Sequence, residues 1–293
     1  MPDVGLDLYK LNHFVAVAEE GSFTRAAARL HLSQQALSTS VRTLEREIGV
    51  ALLERGATGV TVLPAGQALI DDARVLHGVA ASAVQRARRI GRGEPERLRI
   101  GHTPAVTGDE VISLLRRAQA AHPGLVTDVN QRYPAELTAQ LLDGELDLGL
   151  GRALTPAHGL VRTTLIRQRL RVAVGAGHPL AGQREVELAD LADEEITVWG
   201  QPGRSGYTDL LLNLCRDAGF EPRVRRNPIQ GTPPVTAVLE TDGIAFVTAS
   251  PGPAAGDAVR VLELRPPVHV PLQALWPQHS NSDARDAFLT AFA

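Results

Sequence analysis

Residues 25–49 read RAAARLHLSQQALSTSVRTLEREIG. Two short helical patterns meet at His31–Ser33, and neither is long enough to be stable as an isolated helix. The first pattern covers about residues 24–30, and the second follows Ser33, a residue type that favours the position just before a helix. The stretch therefore predicts two short helices joined by a tight turn.

The second helix has one apolar face and one polar face. Its apolar residues recur at intervals of four, three and four, at Leu37, Val41, Leu44 and Ile48. The opposite face carries hydrogen-bonding side chains, namely Gln34, Gln35, Ser38, Thr39, Arg42 and Thr43. Such side chains contact base edges and phosphates in a DNA major groove. The pattern is that of a helix-turn-helix, although a solvated polar helix face has a similar composition.

The flanking sequence supports the helix-turn-helix. Upstream, the residues expected on the buried face of a further helix are Leu8, Leu11, Phe14, Val15 and Ala18, before a stop at Gly21. Ser22 is expected to cap the next helix, which buries Phe23, Ala27 and Leu30. Downstream of Gly49, two β-prone segments flank a loop at 56–59, which predicts a hairpin wing with Arg55 and Thr58 near its tip.

A long helix is predicted over about residues 64–92. Its apolar residues alternate by four and three for three heptads, at Leu69, Ala73, Leu76, Ala80, Ala83, Ala87 and Ile90. A seam of this kind favours pairing with a second copy of the chain, and the alternative is packing on its own domain. Gly91, Gly93 and Pro95 are expected to end the helix.

Beyond residue 95, predicted strands and helices alternate. The first set consists of strands at 98–100, 125–129 and 146–150 with helices at 108–121 and 135–143. The second set has strands at 170–174, 196–198 and 243–248 with a helix at 207–218, and segment 268–275 with the helix 282–292 is expected to return to the first sheet. A β-α-β-α-β order predicts a mostly parallel sheet.

Bulk composition bounds the class of protein. A chain of 293 residues with 44% hydrophobic and 22% charged residues suits a globular protein of two or three domains. No segment is long and apolar enough to span a membrane, and we expect no signal peptide and a cytoplasmic location. The single cysteine excludes an internal disulfide, and the net charge of −3 gives no global indication of nucleic-acid binding.

Catalytic and metal-binding motifs are nearly absent from the sequence. The segment GRSGY at 203–207 departs from a nucleophile elbow because Tyr207 occupies the position of the second glycine. Cys215 lies in a helical apolar pattern and is expected to be a buried thiol, while His122 and His178 each precede a proline in a predicted turn. We expect no catalytic site, no metal and no cofactor.

A family resemblance covers essentially the whole chain. Residues 14–55, FVAVAEEGSFTRAAARLHLSQQALSTSVRTLEREIGVALLER, are similar to the LysR-type transcriptional regulators, and LLDGELDLGL, HPLA, CRDAGFEP and TDGIAFV follow in the family's order. Some positions depart from the family pattern. Gln35 replaces a usual proline, Thr39 and Ser40 replace Arg and Gln, Leu53 replaces a Phe, and Val62–Leu63 replace Leu–Thr. These departures affect the details of DNA contact and not the fold.

The resemblance implies an α/β protein with an N-terminal all-α winged helix-turn-helix at 1–64, a long linker helix and hinge at 65–95, and an effector-binding domain at 96–293. That domain resembles periplasmic solute-binding proteins, with lobe 1 at about 96–164 and 267–293 and lobe 2 at about 165–266. The implied state is a homodimer through the linker, extending to a homotetramer. The partners implied are an interrupted palindromic DNA operator, a small-molecule effector, and RNA polymerase as a further candidate; no membrane is implied.

Two sets of site residues follow. The residues expected at DNA are Arg25, Ser33, Gln34, Gln35, Ser38, Thr39, Ser40, Arg42, Thr43, Arg55 and Thr58. The residues expected at the effector, between the lobes, are Thr103, Pro104, Ala105, Gln131, Tyr133, Trp199, Gln201, Arg204, Ile229, Gln230 and Thr248. Thr103 is expected just before a helix start, where free N–H groups favour an anion such as a carboxylate. Two other classes are weighed against a regulator: a DNA-binding head fused to an enzyme domain, and a solute-binding protein with a helical prefix.

Overall fold

The computed structural model describes residues 5–56, 59–229, 231 and 233–293. The chain divides into two compact units. One consists of residues 1–86 with 142–144, and the other consists of the remainder from residue 87. Each unit is built around its own hydrophobic core.

Three helices open the first unit: α1 (Leu8–Glu20), α2 (Phe23–Leu30) and α3 (Gln34–Ile48). Each begins at a polar cap: Ser22 Oγ accepts from Arg25 N at 3.4 Å, and Ser33 Oγ accepts from Ala36 N at 3.1 Å. Gly21 and Gly49 end α1 and α3 in the left-handed conformation that glycine tolerates best. The two short helices that the sequence predicts are therefore confirmed, with their caps.

The buried faces differ in part from the prediction. In α1 the buried residues are Leu11, Phe14, Ala16 and Val17, whereas the predicted Leu8 is exposed and Val15 and Ala18 are only partly buried. The row at 11, 14 and 17 faces the core, so the helix is rotated relative to the predicted stripe. In α2 the buried residues are Phe23, Ala26 and Ala27. Leu30, which was predicted to be buried, is only partly buried.

The apolar stripe of α3 ends one turn earlier than predicted. Leu37, Val41 and Leu44 are fully buried in the core of the first unit, together with Phe14. Ile48 is exposed because it is the last residue of the helix, immediately before Gly49, and lies beyond the packing of α3 against α1 and α2.

The wing is an antiparallel hairpin of β1 (Leu53–Gly56) and β2 (Gly59–Val62). Hydrogen bonds tie it to the helical segment: Val60 N donates to Gly21 O at 3.1 Å, and Glu45 Oε1 accepts from Leu52 N at 2.9 Å and from Leu53 N at 3.2 Å. Thr58 lies outside the described residues, while Arg55 lies on β1 one residue before the turn.

The long helix α4 spans Pro64–Gly91, in agreement with the prediction. Leu69 and Ala73 pack on the core of the first unit. The rest of the predicted seam is largely uncovered within the chain, since Leu76 is 37% exposed, Ile90 is 67% exposed, and Ala83 and Ala87 are also exposed. Those residues form a row of apolar side chains that this chain alone does not bury.

Two mixed sheets organise the second unit. The first sheet has the order β4-β3-β5-β14-β6. Its strands are β3 (Arg97–His102), β4 (Val126–Gln131), β5 (Leu148–Gly151), β6 (Leu160–Arg169) and β14 (His269–Pro277), and its helices are α5 (Gly108–Ala121), α6 (Pro134–Leu142) and α8 (Asp283–Thr290). As predicted, the last strand and helix return to this sheet.

The second sheet has the order β10-β9-β11-β7-β13-β12, with β8 paired to β13. Its strands are β7 (Arg171–Gly175), β8 (Glu185–Glu187), β9 (Glu195–Val198), β10 (Arg223–Arg226), β11 (Ile244–Val247), β12 (Gly252–Ala254) and β13 (Val259–Arg265). Helix α7 (Gly206–Asp217) packs on this sheet and contributes Leu211 and Cys215 to its core. Burial raises the pKa of the Cys215 thiol to about 11, so the cysteine is the buried thiol that the sequence predicts.

The expectation of a mostly parallel sheet is wrong for both sheets. β3 pairs in parallel with β4 and β5, and β9 does so with β10 and β11. β14, β7 and β13 add antiparallel pairs, because the chain crosses between the sheets twice, from β6 to β7 and from β13 to β14. Five of the described strands have no predicted counterpart: β6, β8, β10, β12 and β13. β6 and β10 are rich in arginine and largely lack alternating apolar residues, and β8 and β12 are only three residues long.

Candidate functional site

The outward face of α3 carries side chains that are free to contact another molecule. Gln34, Gln35 and Arg42 are exposed, and no side-chain hydrogen bond joins them to other residues in the described part of the chain. They lie opposite the buried Leu37, Val41 and Leu44, which fix the helix from behind. The face therefore presents two amides and one guanidinium on a rigid support.

Several hydroxyls of the same helix are used within the protein. Ser33 Oγ caps α3, and Thr39 Oγ1 donates to Gln35 O at 2.9 Å. Ser40 Oγ lies 2.8 Å from His13 Nδ1 on α1, and Thr43 Oγ1 accepts from Arg46 at 3.4 Å. These four positions of the predicted DNA set hold the helix in place in addition to any outward contact.

Two predicted arginines are also engaged within the first unit. Arg25 Nη2 donates to Glu20 O, and Arg25 Nε lies 3.6 Å from a carboxylate oxygen of Glu20. Arg55 Nη1 donates to Ser38 Oγ at 3.0 Å, and Arg55 Cζ lies 4.3 Å from the centre of the Phe23 ring. Arg42 is thus the predicted arginine whose side chain has no hydrogen-bond or ring partner within the described residues.

A cavity of about 480 Å³ lies in the second unit between the two sheets. Seven of the predicted effector residues line it: Thr103, Pro104, Ala105, Tyr133, Trp199, Gln201 and Arg204. Arg152 and Arg226 also line it. None of the described lining residues is an aspartate or a glutamate, so the charged side chains that face the cavity are cationic.

Arg152 is the buried cation of this site. It follows β5 directly and is only 2% exposed. Nη2 donates to Glu110 Oε1 at 2.6 Å and to Gln168 Oε1, while Nε donates to Ala105 O at 3.0 Å. Nη1 is buried and has no hydrogen-bond partner among the described residues. A buried guanidinium N–H without an acceptor is costly, and it lies on a side chain that lines the cavity.

Glu110 holds Arg152 and links the two sheets. Its Oε1 accepts from Arg152, from Gln168 Nε2 at 2.8 Å, and from Thr248 Oγ1 at 2.7 Å just beyond β11 of the second sheet. Its Oε2 accepts from Thr107 N at 2.8 Å in the capping box of α5. One carboxylate therefore connects a helix start of the first sheet, a crossing strand and the end of a second-sheet strand.

The predicted helix start at Thr103 is displaced in the structure. The cap of α5 is Thr107, four residues later, and the Glu110 carboxylate already occupies that helix N-terminus. Thr103 is 3% exposed, and its Oγ1 has no partner in the described structure. Thr103 lines the cavity together with Arg152, and α5 does not begin there as predicted.

Besides the N-terminus of α6 at Pro134 and Ala135, the cavity is bordered by the N-terminus of α7. Ser205 caps it, and Ser205, Gly206, Tyr207 and Thr208 line the cavity. The first N–H groups of a helix have no intrahelical partner and carry partial positive charge. A β-carbon at Gly206 would lie 2.3 Å from Ala153 O, so only glycine allows α7 to approach the first sheet this closely.

Tyr207 lies beside the buried ion pair. Arg152 Cζ is 5.9 Å from the centre of its ring. Burial raises the pKa of the Tyr207 phenol to about 12, an effect that Arg152 opposes and Glu110 reinforces. The phenol therefore remains neutral and able to donate a hydrogen bond throughout the physiological pH range.

Three predicted effector residues lie elsewhere in the described structure. Gln131 lines an adjacent cavity of about 60 Å³, and Thr248 lines a neighbouring cavity of about 540 Å³ behind Glu110. Ile229 is exposed and borders a small cavity of about 30 Å³ beside Asn227. Gln230 lies outside the described residues.

The main cavity is also lined by residues that were not predicted from the sequence: Arg152, Tyr207, Thr138, Ser205 and Arg226. A signal for Arg152 existed: it is the first residue after a predicted parallel strand, and ligands bind beyond the carboxyl ends of such strands. In the sequence, Tyr207 stands out only as a departure from a catalytic motif. Arg226 ends β10, a strand that the sequence did not reveal.

The described residues contain neither a metal-binding cluster nor a membrane-spanning helix. No group of three or more His, Cys, Asp or Glu side chains within them is placed to hold a metal ion. None of the helices in that part of the chain is long and apolar enough to span a bilayer.

Comparison with known proteins decides the family. The model for "Bacterial regulatory helix-turn-helix protein, lysR family" matches residues 8–67, and the model for "LysR substrate binding domain" matches residues 91–293. The chain belongs to the LysR family of transcriptional regulators. It is a DNA-binding transcriptional regulator with an effector-binding domain, as the sequence predicts.

Named LysR regulators resemble the chain over most of its length. The HTH-type transcriptional regulator TfdS of Cupriavidus pinatubonensis is 31% identical over 88% of this chain and 88% of its own. BenM of Acinetobacter baylyi is 32% identical over 84% of this chain and 81% of its own. These relatives are named as regulators and not as enzymes or solute-binding proteins, which favours the regulator over both alternatives.

The LysR regulator CbnR has a similar structure. Its crystal structure has a TM-score of 0.59 and 26% identity, covering 98% of this chain and 100% of that chain. Full-length CbnR in complex with its target DNA has a TM-score of 0.58 and 25% identity, covering 98% of both chains.

Gly206 provides a test of the close approach beside the cavity. We predict that Gly206→Ala destabilises the second unit by roughly 1–3 kcal/mol, because the added methyl group overlaps a backbone carbonyl. Gly108→Ala is the matched control: it is also the first residue of a helix, and a β-carbon there meets nothing within 4 Å. Urea unfolding of both variants measures the difference, and equal stabilities would contradict the tight packing at Ala153.

Proposed function

We propose that this LysR regulator binds an interrupted palindromic operator as a homodimer and responds to a small organic anion bound beside Arg152. The proposed division is residues 1–64 for DNA binding, 65–95 for dimerisation and 96–293 for the effector. The observation that carries the effector proposal is the buried, unpartnered Nη1 of Arg152 on a side chain that lines a cavity with cationic and no anionic side chains.

The anion proposal follows from charge balance. Glu110 neutralises Arg152 on one side, so a bound carboxylate needs further compensation. Arg204 and Arg226 at the cavity and the N-terminus of α7 supply it. An Arg N–H and a carboxylate oxygen form a charge-assisted hydrogen bond, and the hydroxyl of Thr103 adds a second donor. The apolar walls at Trp199, Leu154 and Phe246 favour a ligand with an apolar body.

Regulation requires that the ligand binds two arrangements of the protein with different affinity. The Glu110 carboxylate supplies a physical route for this difference, because it accepts from Arg152 and from Thr248 of the second sheet at once. An anion on Arg152 changes how strongly the guanidinium binds Glu110. The proposed consequence is a change in the bond between Glu110 and Thr248, and hence in the arrangement of the two lobes.

The DNA proposal rests on the outward face of α3. Gln34, Gln35 and Arg42 are exposed on a helix that the core fixes from behind. Gln bonds bidentately to adenine, and Arg bonds to guanine or phosphate. Two such helices in a two-fold dimer require two related half-sites, which is the reason for proposing a palindromic operator.

The assembly proposal rests on α4. Leu76 and Ile90 are exposed on a helix whose first part packs on its own unit. A second copy is the proposed cover, and a tetramer through the effector domains, RNA polymerase as a partner and a cytoplasmic location complete the proposal by analogy with the family.

Paired ligands test the effector site. Small aromatic and aliphatic carboxylates are compared with their neutral amides by thermal unfolding of the full chain. We expect some acids to raise the unfolding temperature and their amides to do so far less, because a charge-assisted bond contributes about 1.5–3 kcal/mol. Arg152→Lys keeps a charge beside Glu110 but removes the free Nη1, and should lose this preference while operator affinity stays within a few fold.

The control for that experiment is Arg116→Lys, an exposed arginine on α5 that does not line the main cavity. It should respond to the acids like the unaltered protein. Amides that stabilise as well as acids, or an undiminished response in Arg152→Lys, would contradict the proposed anion site.

Substitutions on α3 test the DNA-binding face. Gln35→Ala should weaken binding to the operator by about 1–3 kcal/mol and leave non-specific binding nearly unchanged. Arg42→Ala should weaken binding to all sequences and lower the salt slope by about 1, as the loss of a phosphate contact does. Titrations at several salt concentrations measure both, with Gln119→Ala, an exposed glutamine of α5, as the control. Operator binding unchanged in both α3 variants would refute the assignment.

Leu76→Glu tests the dimer. It places like charges against each other across a paired seam, so we expect sedimentation to show monomers and operator affinity to fall. Val50→Glu, at an exposed apolar residue outside α4, is the control and should leave the assembly intact. An undissociated Leu76→Glu dimer would show that other surfaces hold the assembly.

A further inference from the structure

Arg55 joins the wing to both short helices. It lies on β1, its Nη1 donates to Ser38 Oγ on α3 at 3.0 Å, and its guanidinium lies over Phe23 of α2. We infer that Arg55 is a positioning residue that fixes the Ser38 hydroxyl as a hydrogen-bond donor toward DNA. Ser38 then selects base edges that present an acceptor. This inference rests on the proposed DNA-binding face of α3.

The guanidinium is held from two directions. Phe23 is buried in the core of the first unit, directly after the cap residue Ser22, so its ring is a fixed surface. A guanidinium stacks on an aromatic face through both its charge and its planar shape. At 4.3 Å from the ring centre, Arg55 is oriented before any DNA is present.

Hydrogen-bond chemistry then determines the role of Ser38. A serine hydroxyl has one donor and two acceptor positions, whereas arginine has only donors. The bond from Arg55 therefore uses an acceptor position of Oγ and leaves the O–H group unused. Within the described residues, no hydrogen bond donated by Ser38 Oγ is found.

A donor has a defined set of partners in the major groove. Guanine presents N7 and O6, adenine presents N7 and thymine presents O4, while cytosine presents only a donor amine. A hydroxyl already bonded to a cation is a stronger donor and a weaker acceptor. Ser38 is therefore expected to favour guanine, adenine or thymine over cytosine at the position it faces.

The competing role for Arg55 is a phosphate contact of its own. A phosphate contact lowers the salt slope when it is removed and acts independently of Ser38. A positioning residue has the opposite signature: its loss leaves the salt slope unchanged and has no additional effect once Ser38 is absent. The two roles therefore differ in two independent measurements.

The experiment is a double-mutant cycle of Arg55→Met, Ser38→Ala and the double variant in the full chain. Methionine preserves the length of the apolar stem over Phe23 without a donor or a charge. The probe is a duplex of the DNA upstream of the chain's own gene, with a shuffled duplex as the non-specific reference, titrated at several salt concentrations. Arg42→Met is the matched control for loss of a phosphate contact.

We expect each single variant to lose roughly 5- to 100-fold in specific affinity. The affinity of the double variant should equal that of the single variant with the larger loss, within about twofold. The salt slope should stay unchanged in Arg55→Met and fall by about 1 in Arg42→Met. Effects that multiply in the double variant, or a lower slope in Arg55→Met, would overturn the inference.

A second measurement does not depend on how much of each variant is folded. Single operator bases are replaced by analogues that each lack one major-groove acceptor: 7-deazapurines for N7, 2-aminopurine for guanine O6 and 5-methyl-2-pyrimidinone for thymine O4. The affinity ratio between the natural and the substituted duplex is taken for each protein. The unaltered protein should lose affinity at one position, and both Ser38→Ala and Arg55→Met should be insensitive there. Sensitivity retained in Arg55→Met would refute positioning, whereas unchanged binding in Ser38→Ala, Gln35→Ala and Arg42→Met together would refute the DNA-binding face itself.

Discussion

The buried pair of Arg152 and Glu110 is the interaction on which the effector domain depends. Taking two charges out of water is costly unless they are paired and their remaining hydrogen-bonding groups are satisfied. Glu110 meets this condition through Gln168, Thr248 and the backbone of Thr107. Arg152 meets it only in part, because Nη1 has no acceptor among the described residues. The unpartnered Nη1 is the basis for proposing an anion at this site, and the shared Glu110 carboxylate is the proposed route by which its binding affects both sheets.

In the first unit, too, polar and charged side chains are paired with each other. Several of its polar side chains near the proposed DNA-binding face contact each other in the absence of DNA: Arg25 with Glu20, Arg55 with Ser38, and Ser40 with His13. These bonds fix short helices that have little stability of their own. Gln34, Gln35 and Arg42 remain free because they point away from the core. A rigid helix with few free groups suits sequence-specific recognition, in which each contact has to be placed accurately.

Much of this organisation follows from local sequence patterns. The caps at Ser22 and Ser33, the stop at Gly21, the wing, and α4 and α5 are confirmed because each depends on residues close together in the chain. The strands β6 and β10 were not predicted because they lack an apolar periodicity of their own. Hydrogen bonds to neighbouring strands hold them in their sheets. The hydrogen bonds of Glu110 were not predicted because its partners lie 42, 58 and 138 residues away in the sequence. A glutamate in a capping box has no sequence feature that indicates a second role. The helix start at Thr103 was wrong by one turn, and with it the reason for placing an anion there.

The most direct measurement is a crystal structure of the full chain with a small carboxylate that raises its unfolding temperature. The account predicts a carboxylate oxygen at about 2.7–2.9 Å from Arg152 Nη1, within reach of Thr103 Oγ1, with the apolar body against Trp199. A ligand whose negative group lies away from Arg152, with Nη1 still lacking an acceptor, would contradict it.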